Sequence, residues 1–182
     1  MVGAILTQNT AWGNVEKAIK NLKNEKMLSP VKLRDIKSGR LKSLIKPAGF
    51  YNVKARRLKH FLNYLSRIYR NNIKKLKRKN LYILRKELLA LNGIGKETAD
   101  SIMLYALNKP IFVVDAYTRR IFSRHRLTDK NADYDSLQKI FMDNLPKKYK
   151  LFNEYHALIV ELGKTFCKSK KPLCDTCPLK GI

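Results

Sequence analysis

Apolar residues recur every three or four positions along almost the whole chain. Val15, Ala18, Ile19 and Leu22 share one helical face. Leu58, Phe61, Leu62, Leu65 and Ile68 form a second, and Leu81, Leu84, Leu88 and Leu91 a third. Leu137, Ile140 and Phe141, then Phe152, Tyr155, Ile159 and Leu162, continue the pattern. A period near that of the α-helix marks helices with one buried face. Only the run IFVV at 111–114 departs from it, between Pro110 and Asp115, and reads as a short strand or an extended connector. The expected fold class is therefore all-α, with loops near 25–35, 46–52, 70–80, 127–133 and 146–151. There is no internal repeat of solenoid length. The opening MVGAILTQNT is apolar with nothing before it to cover it, and the chain stops five residues after a cysteine, so a trimmed chain is expected.

Composition sharpens this picture. With 182 residues, 45% of them hydrophobic, the chain is long enough to bury a core as one large domain or two lobes. Lysine and arginine total 39 against 14 acids, a net charge of +25. That excess is far beyond what solubility requires and calls for a polyanion, with nucleic acid the simplest candidate. The basic run NNIKKLKRKN at 71–80 reads by itself as a solvated helix or linker. No apolar run approaches membrane-spanning length and no signal-peptide pattern opens the chain, so no membrane partner and a cytoplasmic location are expected. The three cysteines, Cys167, Cys174 and Cys177, fall within eleven positions, a spacing that reads as metal binding before disulfide.

The stretch LNGIGKETAD, 91–100, places Gly93 and Gly95 between two helical runs, where each glycine costs about 1 kcal/mol against alanine. An ordinary turn between helices needs one glycine, as a cap. Two of them, followed by Lys96, fit a tight hairpin whose second helix aims backbone N–H groups and the positive end of its dipole at a phosphate. Ile94 would plug the turn into the core, and Gly93, Ile94, Gly95, Lys96 and Thr98 would form a grip on the DNA backbone that reads no sequence. Asp115 follows the apolar run 111–114 and precedes a helical stretch carrying Arg119, Arg120, Arg124 and Arg126. A carboxylate there serves as a helix N-cap. Its position 20 residues past Gly95 also allows one helix and a return, which would bring it towards a bound phosphodiester, where an acid needs a chemical reason to be.

These residues carry a resemblance. LNGIGKETAD followed by VVDAYTRR resembles the helix–hairpin–helix plus aspartate motif of the endonuclease III superfamily of DNA glycosylases. ILTQNTAW resembles the family's first core helix, with Gln8 at a position that enters the duplex. GFYNVKA, 49–55, resembles the loop bearing the intercalating wedge, with Phe50 at the wedge. CKSKKPLCDTC resembles the C-x6-C-x2-C part of the family's iron–sulfur loop. The resemblance spans essentially the whole chain. It implies a two-lobed α fold with the active cleft between lobes: 1–110 as one lobe containing the hairpin at about 84–108, and 111–182 as the second with the catalytic Asp115 and the cysteine loop. The family's N-terminal helix, also part of that second lobe, would be missing. It further implies a monomer acting on double-stranded DNA in the cytoplasm of a prokaryote, with a damaged base flipped out of the stack.

Two departures refine the expectation. Bifunctional members carry a lysine nucleophile where this chain has Glu97, and a glutamate forms no Schiff base. Lys96 is adjacent but about 100° away around the helix. A monofunctional glycosylase is expected, with a bifunctional glycosylase/lyase, a mismatch uracil or thymine glycosylase and a non-catalytic DNA-binding module as alternatives. The sequence looks most like the endonuclease III-related 3-methyladenine glycosylases, in which an aromatic at the position of Trp12 stacks on the flipped base; core packing is the competing role for Trp12. The family's fourth cysteine would fall just beyond residue 182. A [4Fe–4S] cluster held by Cys167, Cys174 and Cys177 is thus implied, structural in role and holding Lys168, Lys170 and Lys171 outward; zinc with His156 as a fourth ligand is the alternative. His60, His125 and His156 otherwise read as packed or surface histidines.

Overall fold

Among the described residues, five helices begin where a side chain accepts from the exposed N–H groups of the first turn. Ser29, Asn72, Asn80, Asp115 and Asp133 do so, bonding to the backbone of residues two or three places on. The computed structural model describes residues 1–181, in two units, Met1–Ile102 and the residues from Met103 onward. The first unit holds α1 (Val2–Leu6), α2 (Trp12–Asn24), α3 (Pro30–Asp35), α4 (Ser38–Ile45), α5 (Tyr51–Tyr69), α6 (Ile73–Arg78), α7 (Leu81–Leu89) and α8 (Lys96–Ser101). A π-type turn, Ile102–Ala106, follows α8. The second unit holds α9 (Ala116–Arg124), α10 (Tyr134–Asn144) and α11 (Tyr149–Thr165). Among the described residues there is no strand, and no helix is long and apolar enough to cross a membrane.

The predicted helical faces bury Val15, Ala18, Leu22, Leu58, Phe61, Leu62, Leu65, Leu84, Leu88, Leu137, Phe141, Phe152 and Ile159, and Ile5 and Leu6 of the apolar opening are buried too. Ile68 departs from expectation at 60% exposure, because Tyr69 takes the inward place at the end of α5 and its neighbour points about 100° away. The hydroxyls of Tyr64 and Tyr69 both donate to Glu87 Oε2, at 2.7 and 2.5 Å, and tie α5 to α7. The stretch 25–35, expected as a loop, contains α3, and 70–80, expected as a loop whose basic run reads as a solvated helix or linker, contains α6. Each helix is six residues long with one buried leucine, Leu33 or Leu76, too short to show a period. Their capping residues and Pro30 at a helix start are the signals that define them.

The run 111–114 is an extended connector, and all four side chains are buried. Side chains take the place of a neighbouring strand: Gln138 Nε2 donates to Phe112 O at 2.5 Å, and Val114 N–H donates to Tyr134 Oη at 3.4 Å. Phe112 stacks on Phe141 with ring centroids 3.7 Å apart and meets Phe152 edge-on.

Helices α9 and α11 pack where Gly163 faces Tyr117. A Cβ at Gly163 would lie 2.4 Å from Tyr117 Cδ1, so the contact admits only glycine without movement. Arg120 lies over the Tyr117 ring at 5.1 Å and donates to Gly163 O at 2.9 Å and Cys167 O at 2.7 Å, satisfying carbonyls at the end of α11. Gly163→Ala is expected to destabilise the protein by about 1–3 kcal/mol, lowering the melting temperature by several degrees. Thermal unfolding followed by circular dichroism checks this; an unchanged midpoint would mean that Tyr117 moves aside at no cost.

Candidate functional site

The hairpin between α7 and α8 gives its two glycines different tasks. Gly93 has φ +85°, and a Cβ there would lie 2.4 Å from Arg57 Nε. Gly95 is extended, with φ −85° and ψ 177°, so it needs no left-handed freedom. A Cβ at Gly95 would meet nothing within 4 Å; its side of the turn is open, which is what close approach of a phosphate requires. Gly95 is the N-cap of α8 with no side chain capping the turn. Ile94 is buried as the plug, Lys96 and Glu97 are exposed on the first turn, and a buried ion pair clamps the two helices through Arg85 Nε and Asp100 Oδ1 at 2.8 Å.

Gln8 and Thr98 brace this turn from inside. Gln8 Nε2 donates to Gly93 O at 2.9 Å and Thr98 Oγ1 at 2.8 Å, while its Oε1 accepts from Arg57 Nη1 at 2.5 Å. The Gln8 side chain is thus committed to the hairpin and to Arg57 of α5. Thr98 is buried and presents its hydroxyl to Gln8.

Trp12 and Phe50 are exposed aromatics of the first unit. Trp12 opens α2 at 47% exposure, so core packing does not explain it. Its ring lies over Gly3, and Nε1 donates to Glu16 Oε1 at 2.8 Å. Phe50 is 68% exposed and sits in the left-handed region, φ 44°, directly after Gly49 at φ 67°. A non-glycine residue there is strained and must be held by its surroundings. The holder is Lys54, buried in α5, whose Nζ donates to Ala48 O at 2.7 Å; burial pushes its ammonium pKa down. Lys54 N–H also donates to Phe50 O, at 3.0 Å.

In the second unit Asp115 is the N-cap of α9. Its Oδ1 accepts from Thr118 N at 2.8 Å and Thr118 Oγ1 at 2.9 Å. The capping role is therefore real, and it leaves Oδ2 for other work. Oδ2 faces His156 Nε2 at 3.6 Å, and the aspartate side chain is 13% exposed. His156 Nδ1 lies 2.5 Å from Tyr105 Oη. The sequence singled out neither Tyr105 nor this use of His156. Neither belongs to a motif; the histidine is forty-one positions from Asp115 and only the packing of α11 brings it close.

Cys167, Cys174 and Cys177 line one cavity of about 280 Å³ together with Phe166, Leu173 and Arg124. Among the described residues they do not converge on a single ion-sized point. A cavity of this size fits a polynuclear group better than a lone ion, and Arg124 Nη1, 3.3 Å from Cys167 Sγ, supplies the kind of donor that cluster sulfurs accept. His156 does not line this cavity. Its Nδ1 is engaged by Tyr105, which removes it as a zinc ligand beside these cysteines.

A sequence profile for HhH-GPD superfamily base excision DNA repair proteins matches residues 2–147. A Methanocaldococcus jannaschii protein assigned to the DNA repair glycosylases is 55% identical over 181 residues, which is 99% of this chain and 82% of that protein. Endonuclease III of Thermotoga maritima is 30% identical over 181 residues, covering 100% of this chain and 79% of its own. The 3-methyladenine DNA glycosylase of H. pylori, solved with 1,N6-ethenoadenine, is similar with a TM-score of 0.79 and 33% identity over 90% of this chain and 82% of that one. An endonuclease III trapped as a covalent intermediate with DNA is similar with a TM-score of 0.83 and 25% identity, over 98% of this chain and 78% of that one. The chain belongs to the HhH-GPD superfamily of base excision DNA repair proteins and is an endonuclease III-like DNA glycosylase.

Proposed function

We propose that this glycosylase is monofunctional, that it releases alkylated purines from duplex DNA, and that Asp115 is its catalytic carboxylate. The observation that carries the reading is the one-sided fixing of Asp115. Thr118 pins Oδ1, and the apolar run 111–114 immediately precedes the aspartate, so the carboxylate is rigid and sparingly solvated. Breaking the N-glycosidic bond develops positive charge on the sugar, and a fixed carboxylate stabilises that charge where water is scarce. It then takes the proton of the water that attacks the sugar. An alkylated purine that carries a positive charge leaves as a neutral base, so no general acid is required.

Three further features support the reading. The exposed indole of Trp12 can stack on an electron-poor, cationic purine, and the H. pylori relative is a 3-methyladenine glycosylase. The open side of Gly95 and the uncapped start of α8 suit a DNA phosphate, and the exposed ring of Phe50 suits a wedge between bases. Glu97 offers no amine for a Schiff base. Cys167, Cys174 and Cys177 would supply three thiolates to a [4Fe–4S] cluster, which when bound cross-links the loop and holds Lys168, Lys170 and Lys171 toward phosphates.

Asp115→Asn keeps the size of the side chain and its cap, and removes the charge. Release of methylpurines from alkylated duplex should fall by about a hundredfold or more, with DNA affinity retained or increased. A variant that turns over like the parent would remove Asp115 from the chemistry. The released strand should stay intact until alkali or an added endonuclease cuts the abasic site, and borohydride should trap no protein–DNA adduct; a trapped adduct with the parent protein would establish an amine nucleophile and a bifunctional enzyme. Protein purified without oxygen should be brown and hold about four irons with matching sulfide. Cys174→Ala should lose both, and stoichiometric zinc without iron would overturn the cluster.

A further inference from the structure

Asp115 is tied by one oxygen only. Oδ1 takes both bonds from Thr118, and Oδ2 looks onto His156 Nε2 at 3.6 Å. That distance is longer than a hydrogen bond and leaves no room for a bridging water. The imidazole lies midway along α11, 7% exposed, with Tyr105 and Phe112 edge-on to it at centroid distances of 5.8 and 6.2 Å. Its Nε2 is buried and has no hydrogen-bond partner among the described residues. A buried nitrogen left unsatisfied is costly, and such an atom beside a reactive carboxylate calls for an explanation.

The two neighbours decide where the ring proton sits. A lone pair on Nε2 pointing at a carboxylate would be repelled, so Nε2 carries the hydrogen. Nδ1 then keeps its lone pair and accepts from the Tyr105 hydroxyl. Burial pushes the imidazole pKa below its usual value, against the opposing pull of the Asp115 charge, so the ring is neutral at neutral pH. Burial first, and the Asp115 charge second, push the Tyr105 hydroxyl pKa up, so it remains a donor. The titratable groups facing the imidazole are Tyr105 from the π-type turn and Asp115 from the head of α9. The connector contributes Phe112, which is uncharged. In the π-type turn Ile102, Met103 and Leu104 are buried while Tyr105 is half-exposed, the kind of local register change that π turns make at functional sites.

We propose that His156 is a positioning residue for Asp115, fixed in its Nε2–H tautomer by Tyr105, and that this N–H closes on Oδ2 when DNA occupies the site. Catalytic hydrogen bonds are commonly long in the free enzyme and tighten with substrate bound. The imidazole transfers no proton in this role. It aims the carboxylate without placing a positive charge next to a developing cation. The inference rests on Asp115 being the catalytic carboxylate.

The test measures single-turnover release of methylpurines from dimethyl sulfate-treated duplex at neutral pH for the parent and four variants. His156→Gln carries an N–H near the Nε2 position and should stay close to the parent. His156→Asn reaches only as far as Nδ1 and should be about ten- to a hundredfold slower. Tyr105→Phe should be slowed less than His156→Asn. His156→Asn with the parent's rate, alongside an inactive Asp115→Asn, overturns the positioning role and leaves the function standing. An active Asp115→Asn overturns the catalytic assignment itself. A readout independent of substrate is the nitrogen NMR spectrum of the three histidines. His156 should show the Nε2–H tautomer at neutral pH and admit the other tautomer in Tyr105→Phe; an Nδ1–H ring in the parent overturns the proposal.

Discussion

The pair of bonds from Thr118 to one oxygen of Asp115 sets the geometry of the second unit. A helix start needs an acceptor for its open N–H groups, and this one is satisfied by the residue proposed to do the chemistry. Because the cap fixes the carboxylate to α9, whatever holds α9 also holds Oδ2. Upstream, the connector 111–114 is anchored by buried aromatic packing and by Gln138. Downstream, α9 is seated on α11 through Tyr117 and Gly163, and α11 carries the imidazole that faces Oδ2. The site is therefore a property of helix packing rather than of a loop, which suits chemistry that tolerates little misplacement.

The arginines of α9 show that positive charge in a DNA-binding protein is not all aimed at DNA. Arg120 satisfies carbonyls at the end of α11 and the start of the cysteine loop. Arg124 donates to Lys168 O, Ser169 O and Cys167 Sγ. Arg119 bonds Ala132 O. Read along the sequence these residues look like a basic patch beside Asp115. In the fold, three of them hold the chain, and the exposed charge lies with lysines such as Lys168, Lys170 and Lys171 in the loop they secure. The two ends of α9 thus serve the carboxylate and the cysteine cavity respectively.

Long amphipathic helices were legible because burial repeats with the helix period: the faces of α2, α5 and α11 follow from Val15, Leu58 and Phe152 and their neighbours. Short helices were not, since α3 and α6 bury a single leucine each and declare themselves only through Ser29 and Asn72. The hairpin glycines were legible as a pair but not in their separate tasks, because φ belongs to the fold; Gly93 needs the left-handed region and Gly95 needs empty space. Asp115 could be picked out, as could the cysteines, because local spacing carries them. Tyr105 and His156 could not, because their relation to Asp115 exists only after α11 has packed. Gln8 was legible as important, while its bonds to Gly93 and Thr98 depend on a contact across more than eighty residues.

Phe50 carries a consequence for how this protein could be improved as a folded object. At φ 44° the fold by itself would favour glycine or asparagine, and on an open surface it would favour a polar side chain. A phenylalanine is the worse choice on both counts, so stability alone does not account for it. Replacing it by glycine would relax the backbone and remove an exposed apolar ring, and a stability-guided redesign would make that change early. Such a redesign would yield a hardier protein without the exposed ring proposed above as a wedge. Positions where an algorithm for thermostability and the native residue disagree this strongly are a map of what the molecule is for.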